Sequence, residues 1–225
     1  MDLVKSYDFF KPETCGDRIH IIGCGAVGST VAENLVRFGL TNITLYDFDT
    51  VEAHNIANQM FRTIDIGKPK TQALAEILTE INPELDGKMR IEAEGYHGQR
   101  LSGYVFLCVD NIDLRREIAT ANKGNPYIKA MFDFRIRLED AQHYAADWKN
   151  PKMVNNFLAT MQFSHEEAKK ETQVSACNVE LSVAPTVRQI CALGVSNFIN
   201  FVKSGGATIK KMILASAFDF DIQAF

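Results

Sequence analysis

Arg18-Ile19-His20-Ile21-Ile22-Gly23-Cys24-Gly25-Ala26-Val27-Gly28 is the stretch whose reading decides the fold. Its first half is a short β-branched run, the composition of a buried parallel strand. Its second half is G-x-G-x-x-G, in the context that pattern requires, with a strand before and a helix after. Val27, Val31, Leu35 and Phe38 then share one helical face, and Gly39 suits the stop. Asn42-Ile43-Thr44-Leu45-Tyr46 reads as a second strand, ending in Asp47-Phe48-Asp49. Strand, glycine loop, helix and strand make a βαβ unit with a right-handed crossover.

The three glycines have separate tasks. Gly23 permits the tight turn, Gly25 lets backbone approach a phosphate, and Gly28 lets helix and strand pack closely. The N–H groups of Gly25, Ala26, Val27 and Gly28, together with the helix dipole, favour an anion. Asp47, at the strand tip, is placed to grip a ribose. ATP and NAD both offer an adenosine ribose and phosphates, so this motif leaves the two open.

Working outward, Lys70 to Ile81 has helical spacing ended by Pro83, and Met89 to Ala93 is a weak strand. Tyr104 to Val109 is an apolar run that reads as a central strand, Asn111 to Lys123 as a helix stopped by Gly124, and Tyr127 to Ala130 as another strand. Ala141 to Ala145 alternates like an antiparallel strand, and Trp148 to Ser175 is polar with one or two short helices. Pro185 sits near the start of a long apolar helix to about Val202, and late strands fill Lys211 to Phe225. The expected fold is α/β and Rossmann-like: a mostly parallel sheet with helices on both faces, extended by antiparallel C-terminal strands.

At 225 residues, 46% hydrophobic and 23% charged, the composition is ordinary for a globular chain. A net charge of −4 offers no footprint for nucleic acid. No apolar stretch approaches a membrane span, and Met1 to Ser6 lacks the core of a secretory signal. Five cysteines at irregular spacing, with no Cys-x-x-Cys pair, give neither a disulfide framework nor a zinc site. A cytoplasmic location is the resulting expectation.

The segment from Leu45 to Gln59 carries a resemblance, together with Asp65-Ile66-Gly67-Lys68-Pro69-Lys70 and Ile81-Asn82-Pro83. These motifs, in this order, resemble the adenylation domain of the ThiF/MoeB/HesA family, closely from Arg18 to Met131 and more loosely beyond. The family shows a D-x-D-x-V strand end, an N-x-x-R-Q turn, a G-x-x-K helix start and an I-N-P helix end. The resemblance implies a single adenylation domain over 1–225, with a nucleotide-binding core at 17–132 and a docking and C-terminal part at 133–225. It implies ATP and Mg²⁺ as cofactors, with Asp47, Asp49, Asn55, Gln59 and Lys70 joining the glycine loop around the nucleotide and Asp110 holding the metal. The implied substrate is the terminal carboxylate of a small ubiquitin-like or sulfur-carrier protein, and the implied assembly is a homodimer. Bland alternatives stand beside these roles: a solvated surface lysine for Lys70, a helix cap for Asp110, a turn-forming residue for Asn55.

The match has gaps. Asn58 stands where the family has an arginine in its N-x-x-R-Q turn, so one phosphate-binding charge is missing and Arg62, four residues on, is the candidate replacement. The family's N-terminal R-Y-x-R-Q segment and its doubled Cys-x-x-Cys zinc staple are absent, so no zinc is expected. Thiol-using members carry C-x₇-P before the long C-terminal helix, and Cys177 to Pro185 reproduces that spacing, which implies a covalent role beside the plain reading of a packing cysteine. Two alternatives to an active adenylating enzyme remain: a non-catalytic scaffold subunit, and an NAD-linked oxidoreductase.

Overall fold

The computed structural model describes residues 1–174 and 181–225. Strand β1 (Ile19–Ile22) runs through the glycine loop into helix α1 (Ala26–Arg37), which returns to strand β2 (Ile43–Tyr46). Helix α2 (Lys70–Ile81) and strand β3 (Arg90–Glu92) follow, then strand β4 (Gly103–Leu107), helix α3 (Ile112–Ala121) and strand β5 (Ile128–Ile136). Strand β6 (Asp140–Asp147), helices α4 (Pro151–Ala159), α5 (His165–Glu171) and α6 (Ala184–Lys203), and strands β7 (Met212–Ser216) and β8 (Asp221–Ala224) complete the order.

All eight strands lie in one sheet, β3-β2-β1-β4-β5-β6-β7-β8. The first five run parallel, and β6, β7 and β8 add antiparallel. The expected Rossmann-like fold is therefore the observed one. Alternation along the strands supplies two buried layers. Ile19, Ile21, Phe106, Phe132 and Phe134 face α1, α2 and α6, whereas Ile22, Val105, Leu107 and Met131 face α3 and α4. The strand order reverses between β1 and β4, and open α/β sheets place their ligands at that crevice.

Several boundaries differ from the sequence reading, each for a local reason. The apolar run to Val109 leaves the sheet after Leu107, because Cys108 and Val109 bend around the glycine loop. Strand β5 continues past Ala130 to Ile136 and pairs along its length with β6. The part after 133, expected as a docking region, thus begins as a β5–β6 hairpin.

Two buried histidines make stability depend on pH. His143 Nδ1 lies 3.1 Å from the Asp133 carbonyl and Nε2 lies 3.1 Å from the Asn197 amide nitrogen. A carbonyl only accepts, so Nδ1 carries the proton and Nε2 accepts. His20 shares its Nδ1 with the Tyr46 hydroxyl at 2.8 Å, while Nε2 accepts from Ser102 N–H at 3.4 Å. Burial pushes both imidazoles down to about 4. Between pH 6.5 and 4 the unfolded chain binds protons that the fold refuses, so stability is full above 6.5 and falls as pH drops. At pH 5 each histidine should cost about 2 kcal/mol. Thermal melts at pH 7.5 and pH 5 should show a clear drop in Tm, and equal Tm values would contradict this account.

Candidate functional site

Around the glycine loop the backbone explains which glycines the fold needs and which one it leaves open. Gly23 has φ +96°, and a Cβ there would lie 2.8 Å from the Cys108 carbonyl and from Val109 N. A Cβ on Gly28 would lie 1.8 Å from the Gly23 carbonyl oxygen. Gly25 has nothing within 4 Å of its Cβ position. Two glycines therefore serve packing, and the third fronts open space at the start of α1. No side chain caps that helix, so its first N–H groups have no side-chain partner among the described residues.

Asp47 closes the far side of this space. Its carboxylate accepts from Cys24 N–H at 2.6 Å and from Asp49 N–H at 2.8 Å, tying β2 to the loop. Burial raises its pKa, and the two N–H donors oppose that rise without cancelling it. Asp49 and Lys70 are joined by backbone and side chain alike: Lys70 N–H donates to the Asp49 carbonyl, and Lys70 Nζ lies 2.8 Å from Asp49 Oδ2. Val51 pairs with Lys68 and Gly67 in the same ribbon, which carries the two motif segments side by side. Lys70 is 8% exposed, so it is a half-anchored cation at a helix start rather than a solvated surface lysine.

The turn that lacks the family's arginine is held by hydrogen bonds of its own. A short 3₁₀ helix spans Ala53–Ala57, and Asn55 Oδ1 accepts from Glu52 N–H at 2.9 Å. Asn55 thus has the turn-forming role, with its amide nitrogen as remaining donor. Asn58 ends that helix, half-buried, and Gln59 Oε1 is buried without a hydrogen-bond partner among the described residues. An unmet buried acceptor costs about 1–3 kcal/mol, a cost that a donating ligand would remove. Arg62 is committed elsewhere: its guanidinium binds Asp65 and, at 2.9 Å, Glu80. That grip holds the Asp65 carboxyl down at about 2. As a replacement for the missing arginine, Arg62 is turned away by its own ion pairs.

Asp110 lies two residues beyond Cys108, and the Cys108–Val109 backbone abuts Gly23, so Asp110 follows directly on the turn packed against the loop. The cap expected of it belongs to its neighbour: Asn111 Oδ1 accepts from Asp113 and Leu114 N–H. Asp110 is exposed, and no described residue holds its carboxylate. No group of three or more metal-ligating side chains exists among the described residues. Mg²⁺ needs no such cage, since one carboxylate, waters and substrate phosphates satisfy it. Asp110 fits that donor set.

Sequence reasoning missed the charge cluster that fixes Asp110's turn. Asp133, fully buried on β5, pairs with Arg115 at 2.5 Å and with Arg135 at 2.7 Å. Arg115 also donates to the Val109 and Phe134 carbonyls, pinning the chain just before Asp110. Arg135 reaches the Thr160 carbonyl at 2.7 Å and lies over the Tyr144 ring. The available signal was two charges inside the apolar run Ala130 to Ile136. Cys15, Cys24, Cys108 and Cys191 are buried, and burial raises every one of these thiols. Cys177 lies outside the described residues.

The family model that matches this chain is the ThiF family, over residues 15–225. The ubiquitin-like modifier-activating enzyme 5 of Dictyostelium discoideum is 36% identical over 137 residues, covering 54% of this chain and 35% of that protein. Its Arabidopsis thaliana counterpart is 45% identical over 85 residues, covering 38% of this chain and 19% of that protein. The chain thus spans about a third or less of these relatives. Among solved structures, E. coli MccB with ATP superposes with a TM-score of 0.74 at 16% identity, covering 95% of this chain and 65% of that one. PaaA gives 0.69 at 16% identity, covering 100% and 68%. At such identities these two likenesses speak to the fold.

Proposed function

The chain belongs to the ThiF family, and from that premise we propose that it adenylates the terminal carboxylate of a small ubiquitin-like or sulfur-carrier protein with ATP. The observation that carries the reading is the open space at Gly25, at the uncapped start of α1, with Asp47 bound to the adjoining Cys24 N–H. Relatives named as ubiquitin-like modifier-activating enzymes, and a like-folded protein crystallised with ATP, support it.

In this mechanism the α1 N–H groups hold phosphate oxygens and Asp47 holds the ribose hydroxyls. Lys70 neutralises phosphate charge, and Asp110 would hold Mg²⁺, which supplies further neutralisation of the triphosphate. A carboxylate oxygen of the carrier attacks the α-phosphorus, the bond to the bridging oxygen breaks, and pyrophosphate leaves. The nucleophile is already ionised at neutral pH, so no general base is required. A second reading, a non-catalytic subunit, draws on the uncharged Asn58 and the committed Arg62.

Mg·ATP at a hundred times its Kd should stabilise the fold by about 2.7 kcal/mol, raising Tm by about 5–10 °C. NADH should do much less. Gly25→Ala should keep the unliganded Tm, since its Cβ meets nothing, yet lose the ATP shift because the methyl takes the ligand's space. An equal shift with NADH, or an undiminished ATP shift in Gly25→Ala, would contradict the proposed site.

If a thiol receives the acyl group, the four buried cysteines are poor candidates and the step falls to Cys177. Cys177→Ala should then retain ATP–pyrophosphate exchange and lose any thiol-sensitive adduct with the carrier on a non-reducing gel. An adduct that persists in this variant would assign the chemistry to another group.

A further inference from the structure

We propose that Arg188 is a phosphate-binding cation of the nucleotide site, reaching it from α6 beside Met60. The inference rests on the adenylation reading and deepens it. Strand β7 runs antiparallel to β6, which runs antiparallel to β5, so β7 points the same way as β1. The helix entering β7 therefore starts at the end of the sheet where α1 starts. The contacts agree: Cys191 Sγ of α6 lies 3.6 Å from the Val27 carbonyl, in the first turn of α1. One turn earlier on α6, Arg188 Nη1 lies 3.7 Å from Met60 Sδ, and Met60 N–H donates to Ser29 Oγ of α1 at 3.3 Å. The Arg188 side chain thus passes beside the Asn58–Met60 strip, next to the helix start that would receive phosphate.

The charges around the loop single this residue out. Beside Lys70, which shares its charge with the half-exposed Asp49, Arg62 is held by Asp65 and Glu80 and Arg115 by Asp133. Arg188 is exposed, and its partner among the described residues is a thioether, a weak acceptor that neutralises nothing. Four of its five N–H donors have no such contact among the described residues, and the planar fork suits phosphate oxygens. The two residues that flank this contact in sequence, Gln59 and Gln189, each carry a buried side-chain oxygen with no donor among the described residues. A triphosphate meeting a carboxylate concentrates negative charge, and a guanidinium with no carboxylate partner among the described residues is a group such a site can use.

Equilibrium titration of Mg·ATP and of adenosine separates the outcomes. Arg188→Ala should weaken Mg·ATP binding by about tenfold to a hundredfold and leave adenosine binding unchanged. Arg188→Lys should recover part of the loss, and adding Asn58→Arg to Arg188→Ala should recover more, since it returns a cation to the same strip. Wild-type Mg·ATP affinity in Arg188→Ala would overturn the proposal while the adenylation reading stands. Parallel losses of ATP and adenosine would overturn it too, by making Arg188 a structural residue. Failure of the wild-type chain to bind Mg·ATP would overturn the adenylation reading, and this proposal with it.

Discussion

Lys70→Ala and Asp110→Ala should each cut carrier-dependent ATP–pyrophosphate exchange by about a hundredfold or more, the scale for losing a preorganised charge at a reacting centre. Neither change should cost much stability. Asp110 is exposed with no described partner, so its removal leaves nothing stranded. Lys70 leaves Asp49, whose side chain is half exposed and can turn to water. Activity and Tm should therefore separate, with a large loss in exchange and a near-native melt. Exchange within a few-fold of wild type would remove these two residues from the chemistry. A Tm that falls in step with activity would make them parts of the scaffold.

Asp133→Ala should be the most damaging single substitution to the fold at this end of the sheet. The carboxylate is fully buried between Arg115 and Arg135, whose side chains are 6% and 15% exposed. Removing it strands two cations, and breaking such a pair costs about 3–5 kcal/mol. For a chain of this size that corresponds to a Tm lower by about 6–20 °C. Arg135→Ala should cost less, because Arg115 still neutralises Asp133. Exchange should also suffer in Asp133→Ala, since Arg115 holds the Val109 carbonyl next to Asp110. A Tm within a degree or two of wild type, or a larger loss in Arg135→Ala, would contradict this account of the cluster.

The fold was legible wherever local pattern and tertiary packing agreed. The run Ile19 to Gly28 needs a strand, a turn and a helix in that order, and the structure contains them with Gly23 and Gly28 in the tight places. The motif segments Asp47–Val51 and Gly67–Lys70 were legible as motifs, whereas their side-by-side backbone pairing comes from the structure. Side-chain partnerships were much less legible. Arg62 lies near Asn58 in sequence, but its choice of Asp65 and Glu80 depends on where α2 packs. Arg188 reaches Met60 across 128 residues, and Asp133 gathers two arginines from a helix and a strand. Spacing within one segment carries no trace of such meetings. The helix cap at Asn111 rather than Asp110 shows the same limit at a single residue, where two neighbouring side chains both qualify.

On the proposed function, ATP serves to activate a carboxylate. The most direct measurement is ATP–pyrophosphate exchange with a small carrier protein ending in Gly-Gly, beside the same carrier with its C-terminus amidated. Amidation removes the nucleophile and alters nothing else. Activity with the free carboxylate and none with the amide is the predicted result, whereas Mg·ATP binding without exchange on any free-carboxylate carrier would contradict it.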